Sequence, residues 1–247
     1  MTDSLTLYVL AVIFIATLVR STLGFGEALI AVPLLALRLP IIVAAPLAVM
    51  VSVLVAAVVV AQDWRHVELR SASSLIVASL LSLPLGFLLL VKIDGHIIKI
   101  ILGMVIILFS AYFLKGGARR HLRKDHWVWL IACGLVAGVL GGAYGMNGPP
   151  LAVYGTLRKW SPQHFRATLQ GYFLPVSLIG LGGYIALGLV DWQVLRYFIL
   201  SLPVLAVAIV LGRFINRRLK DHRFFVIVYA ALIIVGCMLV LQAVVQP

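Results

Sequence analysis

LGFGEALIAVPL at residues 23–34 and LGGAYGMNGPPL at residues 140–151 are the two stretches that decide the fold of this chain. Each interrupts an apolar run with closely spaced glycines followed by proline. Glycine permits unwound backbone, while proline removes a backbone donor and disfavours helix in the residue before it. Both stretches therefore predict a break in a helix. Four of the twelve aligned positions are identical, which suggests an internal repeat.

Further landmarks recur in the same order in both halves of the chain. Asp63-Trp64 recurs as Asp191-Trp192, the LSLP of residues 81–84 recurs at 200–203, and Asp94-Gly95-His96 resembles Asp221-His222 before a final apolar run. We therefore interpret the chain as a duplication within one integral membrane domain, with the first membrane repeat at 1–118 and the second at 119–247.

The composition places both repeats in a lipid bilayer. Of the 247 residues, 63% are hydrophobic and only 11% are charged. A soluble domain has about 25% charged residues, so a soluble globular protein is excluded. Long uncharged runs cover 41–61, 71–91, 127–157, 167–190 and 224–247. Since a membrane helix needs roughly 20 apolar residues, the sequence predicts an all-α polytopic membrane protein.

The net charge of +12 comes from 20 Lys and Arg residues that lie in short loops, which argues against a nucleic-acid partner. Such residues favour the cytoplasmic side of a membrane and meet anionic lipid there. The linker 115–126 and the loops 63–70, 158–166 and 213–223 hold fifteen of the twenty. We expect these loops to be cytoplasmic and both termini to be periplasmic.

Residues 127–157 lie between two of these cytoplasmic loops and must enter and leave on the same side. As one helix, 31 residues would extend about 46 Å, whereas the hydrocarbon core is about 30 Å thick. We therefore predict a broken or re-entrant hairpin of two short arms, opening inward, and a matching hairpin at about 4–38 that opens outward. Each hairpin precedes three transmembrane helices. This is an inverted repeat, an architecture of secondary transporters whose site lies where the breaks meet.

The glycines and prolines of the breaks admit two interpretations. Unwound backbone at membrane depth must be buried in protein or line a cavity, whereas small residues also allow close helix packing. We favour a cavity. Pro149-Pro150 would begin the second arm and leave free N–H groups that attract an anion, and Pro33 could play the same part in the first half.

Few polar side chains lie near the breaks. Glu27 and Arg20 are the acidic residue and the arginine that lie away from loops and chain ends. Ionisable groups at this depth are functional candidates by default. Glu27 could carry a coupling proton, and Arg20 could attract an anion, neutralise Glu27 in a structural ion pair, or snorkel to an interface. Uncharged hydrogen-bonding groups are contributed by Tyr144, Asn147, Tyr154, Thr168 and Gln170.

Metal and enzyme chemistry receive little support. All six histidines fall in or beside loops, and Cys133 and Cys237 lie alone in apolar runs. Membrane enzymes need paired carboxylates, a metal set or an activated nucleophile, none of which the apolar runs contain. We expect no enzyme activity, no metal and no cofactor.

GFGEALIAVPLL at 24–35, its glycine-rich counterpart ending in Asn147-Gly148-Pro149-Pro150, and the duplication resemble the TauE/SafE sulfite exporter family, also called the toluene sulfonate uptake permease (TSUP) family. The resemblance covers nearly the whole chain. It implies a bacterial inner-membrane permease for sulfite, thiosulfate, sulfoacetate or other organosulfonates, without ATP or cofactor. Gly24, Gly26, Pro33, Gly145 and Pro150 occupy the family's Gly…Pro pattern, while Asn-Gly-Pro-Pro departs from its plainer form.

The sequence thus predicts a secondary transporter that works by alternating access, with possible proton coupling. An anion channel and a permease for another small organic anion stay open as alternatives, and so does a homodimer. The predicted partners are a small anionic substrate and the bilayer. We assign coupling to Glu27 and predict a substrate site formed by Arg20, Gly24, Gly26, Pro33, Tyr144, Asn147, Gly148, Pro149, Pro150, Tyr154 and Gln170.

Overall fold

The computed structural model describes residues 4–63, 69–116, 127–158, 162–216 and 222–245. Within these ranges the chain forms helices and no strand. The helices are α1 (Ser4–Leu23), α2 (Glu27–Ala36), α3 (Ile41–Asp63), α4 (Leu69–Lys92), α5 (Gly95–Leu114), α6 (Trp127–Tyr144), α7 (Gly148–Leu157), α8 (Pro162–Ala186), α9 (Trp192–Asn216) and α10 (His222–Val245).

The helix lengths confirm the predicted polytopic all-α fold. Seven of the described helices are long and apolar enough to cross a membrane, namely α1, α3, α4, α5, α6, α9 and α10. Helix α8 has 25 residues, with its apolar segment at Gly171–Ala186. Helices α2 and α7 have 10 residues each, about 15 Å, which is half the hydrocarbon thickness.

The short helices α2 and α7 are the second arms of two broken hairpins. The Tyr8 hydroxyl, near the start of α1, donates a hydrogen bond to the carbonyl of Leu34, near the end of α2, so these arms run antiparallel. Helices α6 and α7 also contact each other beside the second break. The arms are unequal, which the sequence analysis did not predict: α6 has 18 residues and reaches almost across the membrane, and only α7 is short.

Helix packing is nearly unchanged when the two halves are exchanged. Helix α4 packs on α6 as α9 packs on α1, and α4 contacts α8 as α9 contacts α3. Helices α3 and α5 pack on their own counterparts, α8 and α10. These matching contacts are the ones expected when the two halves are related by an approximate two-fold axis. The opposite orientation of the halves in the membrane stays a prediction from the Lys and Arg positions.

The glycines of the second motif divide between packing within α6 and cavity lining at Gly145 and Gly148, so the cavity interpretation is wrong for part of the motif. A Cβ atom at Gly138 would lie 2.1 Å from the carbonyl oxygen of Ser79, and one at Gly142 would lie 2.3 Å from that of Leu83. Gly86 on α4 is equally close to α6, since its Cβ would meet the Val139 carbonyl at 2.2 Å. These glycines allow α4 and α6 to touch along their backbones.

Candidate functional site

The first break ends α1 at Leu23 and begins α2 at Glu27. Gly24 and Gly26 both have positive φ, 88° and 98°, which side-chain-bearing residues rarely adopt. The first hydrogen bond of α2 runs from the Ile30 amide to the Gly26 carbonyl at 3.1 Å. The amides of Glu27, Ala28 and Leu29 therefore have no carbonyl one turn earlier in α2 to bind, and they give this helix end a partial positive charge.

The second break has a different chemistry. Gly145, at φ 66°, ends α6, and Asn147 precedes α7. Pro149 and Pro150 lie in the first turn of α7, as predicted. Because prolines lack N–H groups, this turn offers fewer donors than the sequence analysis assumed. The parallel role for Pro33 is wrong, since Pro33 lies in the interior of α2.

The two breaks meet at one small cavity, which we call the central cavity. It measures about 20 Å³, room for about one water molecule. The tips of both hairpins line it, together with residues from α1, α3 and α8: Arg20, Gly26, Glu27, Ala28, Leu29, Ser52, Gly145, Met146, Asn147, Gly148, Pro149, Phe173 and Ser177. Every residue from Gly141 to Pro150 is buried, whereas Gly26 and Ala28 of the first break are partly exposed.

A buried ion pair forms one wall of the central cavity. Arg20 Nη1 is in direct contact with Glu27 Oε2, and the two side chains are only 3% and 2% exposed. Arg20 Nη1 also donates to Ser52 Oγ at 2.7 Å, and Thr17 Oγ1 donates to Glu27 Oε1 at 2.8 Å. The Arg20 guanidinium lies 5.2 Å from the centre of the Phe173 ring, a cation–π contact. The arginine thus brings α1, α2, α3 and α8 together.

Asn147 supplies the polar side chain of the opposite wall. Its amide packs directly on Gly141, where an added Cβ would lie 2.6 Å from Asn147 Oδ1. The same amide interacts with the Tyr172 hydroxyl. That hydroxyl donates to Ser79 Oγ at 2.6 Å, and Ser79 Oγ donates to the Gly134 carbonyl at 2.8 Å. The Tyr172 and Ser79 hydroxyls therefore connect the surroundings of Asn147 to the α4–α6 interface.

Helix α8 holds the second break through a further tyrosine. The Tyr184 hydroxyl donates to the carbonyls of Gly141 and Gly142 at 3.1 and 2.9 Å. Both Tyr172 and Tyr184 are fully buried, with their hydroxyls on groups at or beside the break. Neither tyrosine was predicted from the sequence as a site residue. Both could have been noticed, because a tyrosine inside an apolar run has a hydroxyl that needs a hydrogen-bond partner when the helix is buried.

The structure brings together half of the predicted site residues. Arg20, Gly26, Glu27, Asn147, Gly148 and Pro149 line the central cavity. Gly24 and Pro150 lie in the breaks beside it. Tyr144 points elsewhere, since its hydroxyl donates to the Ile98 carbonyl on α5 at 2.9 Å. Tyr154 is buried on α7 away from the cavity lining, and the side chain of Gln170 on α8 lies outside the described residues.

Ser52, Phe173 and Ser177 were not predicted, although they line the cavity. Ser52 and Ser177 add hydroxyls that can donate to an anion or accept from Arg20. In the part of the chain that the structure describes, no group of three or more His, Cys, Asp or Glu could hold a metal ion. The donors around the cavity therefore come from one guanidinium, one amide, hydroxyls and backbone N–H groups.

One comparison with known proteins gives a result. The family model described as "Sulfite exporter TauE/SafE" matches residues 9–239. No curated protein and no solved structure matches the chain.

Proposed function

Since this chain belongs to the TauE/SafE sulfite exporter family, we propose that it is a secondary transporter of small sulfur-containing anions such as sulfite, thiosulfate, sulfoacetate or other organosulfonates. It is a multi-pass membrane protein, and we propose the inner membrane of a bacterium as its location. The observation that carries the proposal is the meeting of the two helix breaks at a small cavity with a buried arginine in its wall.

The donors around the central cavity suit an oxyanion. Arg20 contributes a permanent positive charge, and the first turn of α2 contributes backbone N–H groups with the favourable end of the helix dipole. Asn147 adds an amide from the opposite hairpin. Sulfite and sulfonates have three oxygens spread around one sulfur, so donors that converge from different helices can each bind one oxygen. We propose Arg20, Ser52, Asn147 and Ser177 as the substrate-binding side chains.

Glu27 provides the coupling in this proposal. The Glu27 carboxylate is paired with the Arg20 guanidinium, and the cavity has room for about one water molecule. A substrate anion therefore needs both a wider cavity and a released Arg20. Protonation of Glu27 removes the competing charge and lets the anion take its place, which links substrate movement to a proton. Substitution of Glu27 by Gln should then make transport independent of an imposed pH gradient.

Alternating access follows from the approximate two-fold relation of the halves. In the proposed cycle, the repeats 1–118 and 119–247 rock against each other and expose the central cavity to one side at a time. From the Lys and Arg positions, we predict that linker 115–126 is cytoplasmic and that both termini are periplasmic. Single cysteines at Arg38 and Lys99 should react with an impermeant maleimide in intact cells, whereas one at Arg120 should react only after permeabilisation. Labelling of position 120 in intact cells would refute the inverted orientation.

The decisive experiment is flux into proteoliposomes. The panel comprises sulfite, thiosulfate, sulfoacetate, taurine, sulfate and acetate, each with and without a pH gradient. We expect saturable flux of at least one sulfur oxyanion, and a loss of roughly tenfold or more in Asn147→Ala, equivalent to one charge-assisted hydrogen bond. Ser201→Ala is the matched control, because Ser201 is buried on α9 and its hydroxyl donates within its own helix to the Tyr197 carbonyl at 2.7 Å.

The results also separate the competing functions. Counterflow, in which unlabelled anion on one side drives labelled anion from the other, requires a carrier and is absent in a channel. A cavity with room for only about one water molecule, and therefore no open pore at this point, favours the carrier. Saturable flux of acetate alone would indicate a permease for another organic anion. Absence of flux for every sulfur anion, with folded protein, would remove the proposed substrate class.

A further inference from the structure

A second, larger cavity lies at the other end of α2, and we call it the peripheral cavity. It measures about 520 Å³ and is lined by residues of the α2–α3 turn, the end of α4, the start of α5 and the end of α10. This volume lies within the range of sites for organic ligands, about 300–1,000 Å³. The central cavity is at the Glu27 end of α2 and the peripheral cavity at its Leu37 end. The two are therefore separate sites about 15 Å apart along one short helix.

The charged side chains of the peripheral cavity are cationic. Arg38, Lys99 and His96 line it, and none of the described lining residues is acidic. The Arg38 guanidinium is held 4.8 Å from the centre of the Tyr8 ring. The nearest carboxylate in sequence is Asp94, whose Oδ1 caps α5 by accepting from the His96 amide at 2.8 Å. Arg38 and Lys99 thus offer two permanent positive charges to a ligand.

The remaining wall is apolar and is exposed mainly at Ile42. Ile41, Ile42, Leu90 and Ile93 line the cavity; Ile42 is 42% exposed, whereas Ile41 and Leu90 are buried. A small inorganic anion would leave this surface in contact with water. A ligand with an apolar tail would cover it, at a gain of roughly 25 cal/mol for each Å². The combination of two cations with an apolar wall therefore matches an amphipathic anion.

Gln242 adds an independent polar contact. Its Nε2 donates to the Leu37 carbonyl at 3.1 Å, which fixes the orientation of the amide. Its Oε1 is buried at the cavity and has no hydrogen-bond partner among the described residues. A buried acceptor without a partner is costly, and a hydroxyl or ammonium group on a bound headgroup would satisfy it.

We propose that the peripheral cavity binds an amphipathic anion, with a phosphate or sulfonate head at Arg38 and Lys99 and an apolar tail along Ile42, Leu90 and Ile93. A phospholipid of the surrounding leaflet and a single-chain amphiphile share this chemistry. This site is distinct from the proposed transport site, and its test does not require transport.

The experiment measures binding to the full-length, delipidated chain in a neutral detergent by calorimetry. The three probes are dioctanoyl phosphatidylglycerol, dodecyl phosphate and inorganic phosphate. We expect both amphiphiles to bind at least tenfold more tightly than inorganic phosphate. Tighter binding of phosphatidylglycerol identifies a lipid site, and tighter binding of dodecyl phosphate identifies a site for single-chain amphiphiles. Equal affinity for inorganic phosphate would overturn the proposal.

Three variants locate the binding. Arg38→Gln combined with Lys99→Gln should weaken amphiphile binding by about 25-fold, roughly fivefold for each cation near a membrane surface. Lys92→Gln is the matched control, because Lys92 is an exposed cation at the end of α4 outside the cavity lining. In Ile42→Trp, the larger side chain should fill part of the cavity beside the apolar wall and so weaken amphiphile binding without changing any charge. Unchanged affinity in the Arg38/Lys99 double variant would refute the site.

Discussion

Removal of one member of the Arg20–Glu27 pair should destabilise the protein much more than removal of both. Arg20→Gln leaves the Glu27 carboxylate, 2% exposed, with a hydrogen bond from the neutral Thr17 hydroxyl in place of the guanidinium. Breaking a buried ion pair in this way costs about 3–5 kcal/mol. Glu27→Gln leaves the Arg20 cation with Ser52 and the Phe173 ring, and we expect a loss in the same range. Arg20→Gln combined with Glu27→Gln buries no charge, so most of that loss should be recovered.

The assay combines stability and transport on the same four proteins. The free energy of unfolding is measured for wild type, both single variants and the double variant in lipid nanodiscs, and sulfite flux is measured in proteoliposomes. The coupling energy of the double-mutant cycle should be about 3 kcal/mol or more. The double variant should recover stability but not flux, because it has lost the guanidinium that binds the anion.

Two results would refute this reasoning. Single variants that lose less than about 1 kcal/mol would mean that the pair behaves like an exposed salt bridge. A double variant that recovers flux together with stability would mean that the pair is structural only, and that neither anion binding nor proton coupling uses it.

Two further predictions concern backbone positions, each with a matched control. Gly26→Ala should cost about 1–2 kcal/mol of stability because φ is 98° at this position, and it should lower flux because it distorts the start of α2. Gly188→Ala is the control: φ is also positive there, at 70°, but Gly188 lies away from the cavity lining. It should therefore lose stability and leave flux per folded molecule unchanged. Gly138→Ala should cost about 1–3 kcal/mol in thermal unfolding because its Cβ would meet the Ser79 carbonyl at 2.1 Å, whereas Gly182→Ala, with nothing within 4 Å, should be neutral or stabilising. Equal loss of flux in the first pair, or equal loss of stability in the second pair, would contradict this reasoning.

The fold was predictable because membrane burial imposes strong one-dimensional rules. Run length gives the spanning helices, whereas the side of the membrane on which each loop lies stays a prediction from the positions of Lys and Arg. The breaks were predictable because Gly26 and Gly145 need positive φ and because prolines follow them. The unequal arms were not predictable, since glycine density marks a region and does not show which glycine ends the helix.

Only the site residues that stand out in their local sequence could be predicted. Glu27 and Arg20 stood out because charges are rare inside apolar runs. Ser52, Phe173 and Ser177 could not be found, because their place at the cavity depends on how α3 and α8 rotate against the hairpins. The same holds for the division of the motif's glycines, where Gly138 in α6 packs against α4 and Gly145, after α6, lines the central cavity. Helix rotation is set by contacts between distant segments, which one sequence does not display.

The approximate symmetry of the fold and the asymmetry of its charges together suggest how transport could work. Both halves contribute a broken hairpin, yet the ion pair belongs to the first and the Asn147 amide belongs to the second. In the proposed cycle, an anion between them would be held by charge from one repeat and by neutral donors from the other. When the repeats separate, the anion would lose the neutral donors, and Glu27 would release its proton and pair with Arg20 again. Release of the anion, release of the proton and restoration of the ion pair would then be one event, which is the condition for coupling transport to a proton.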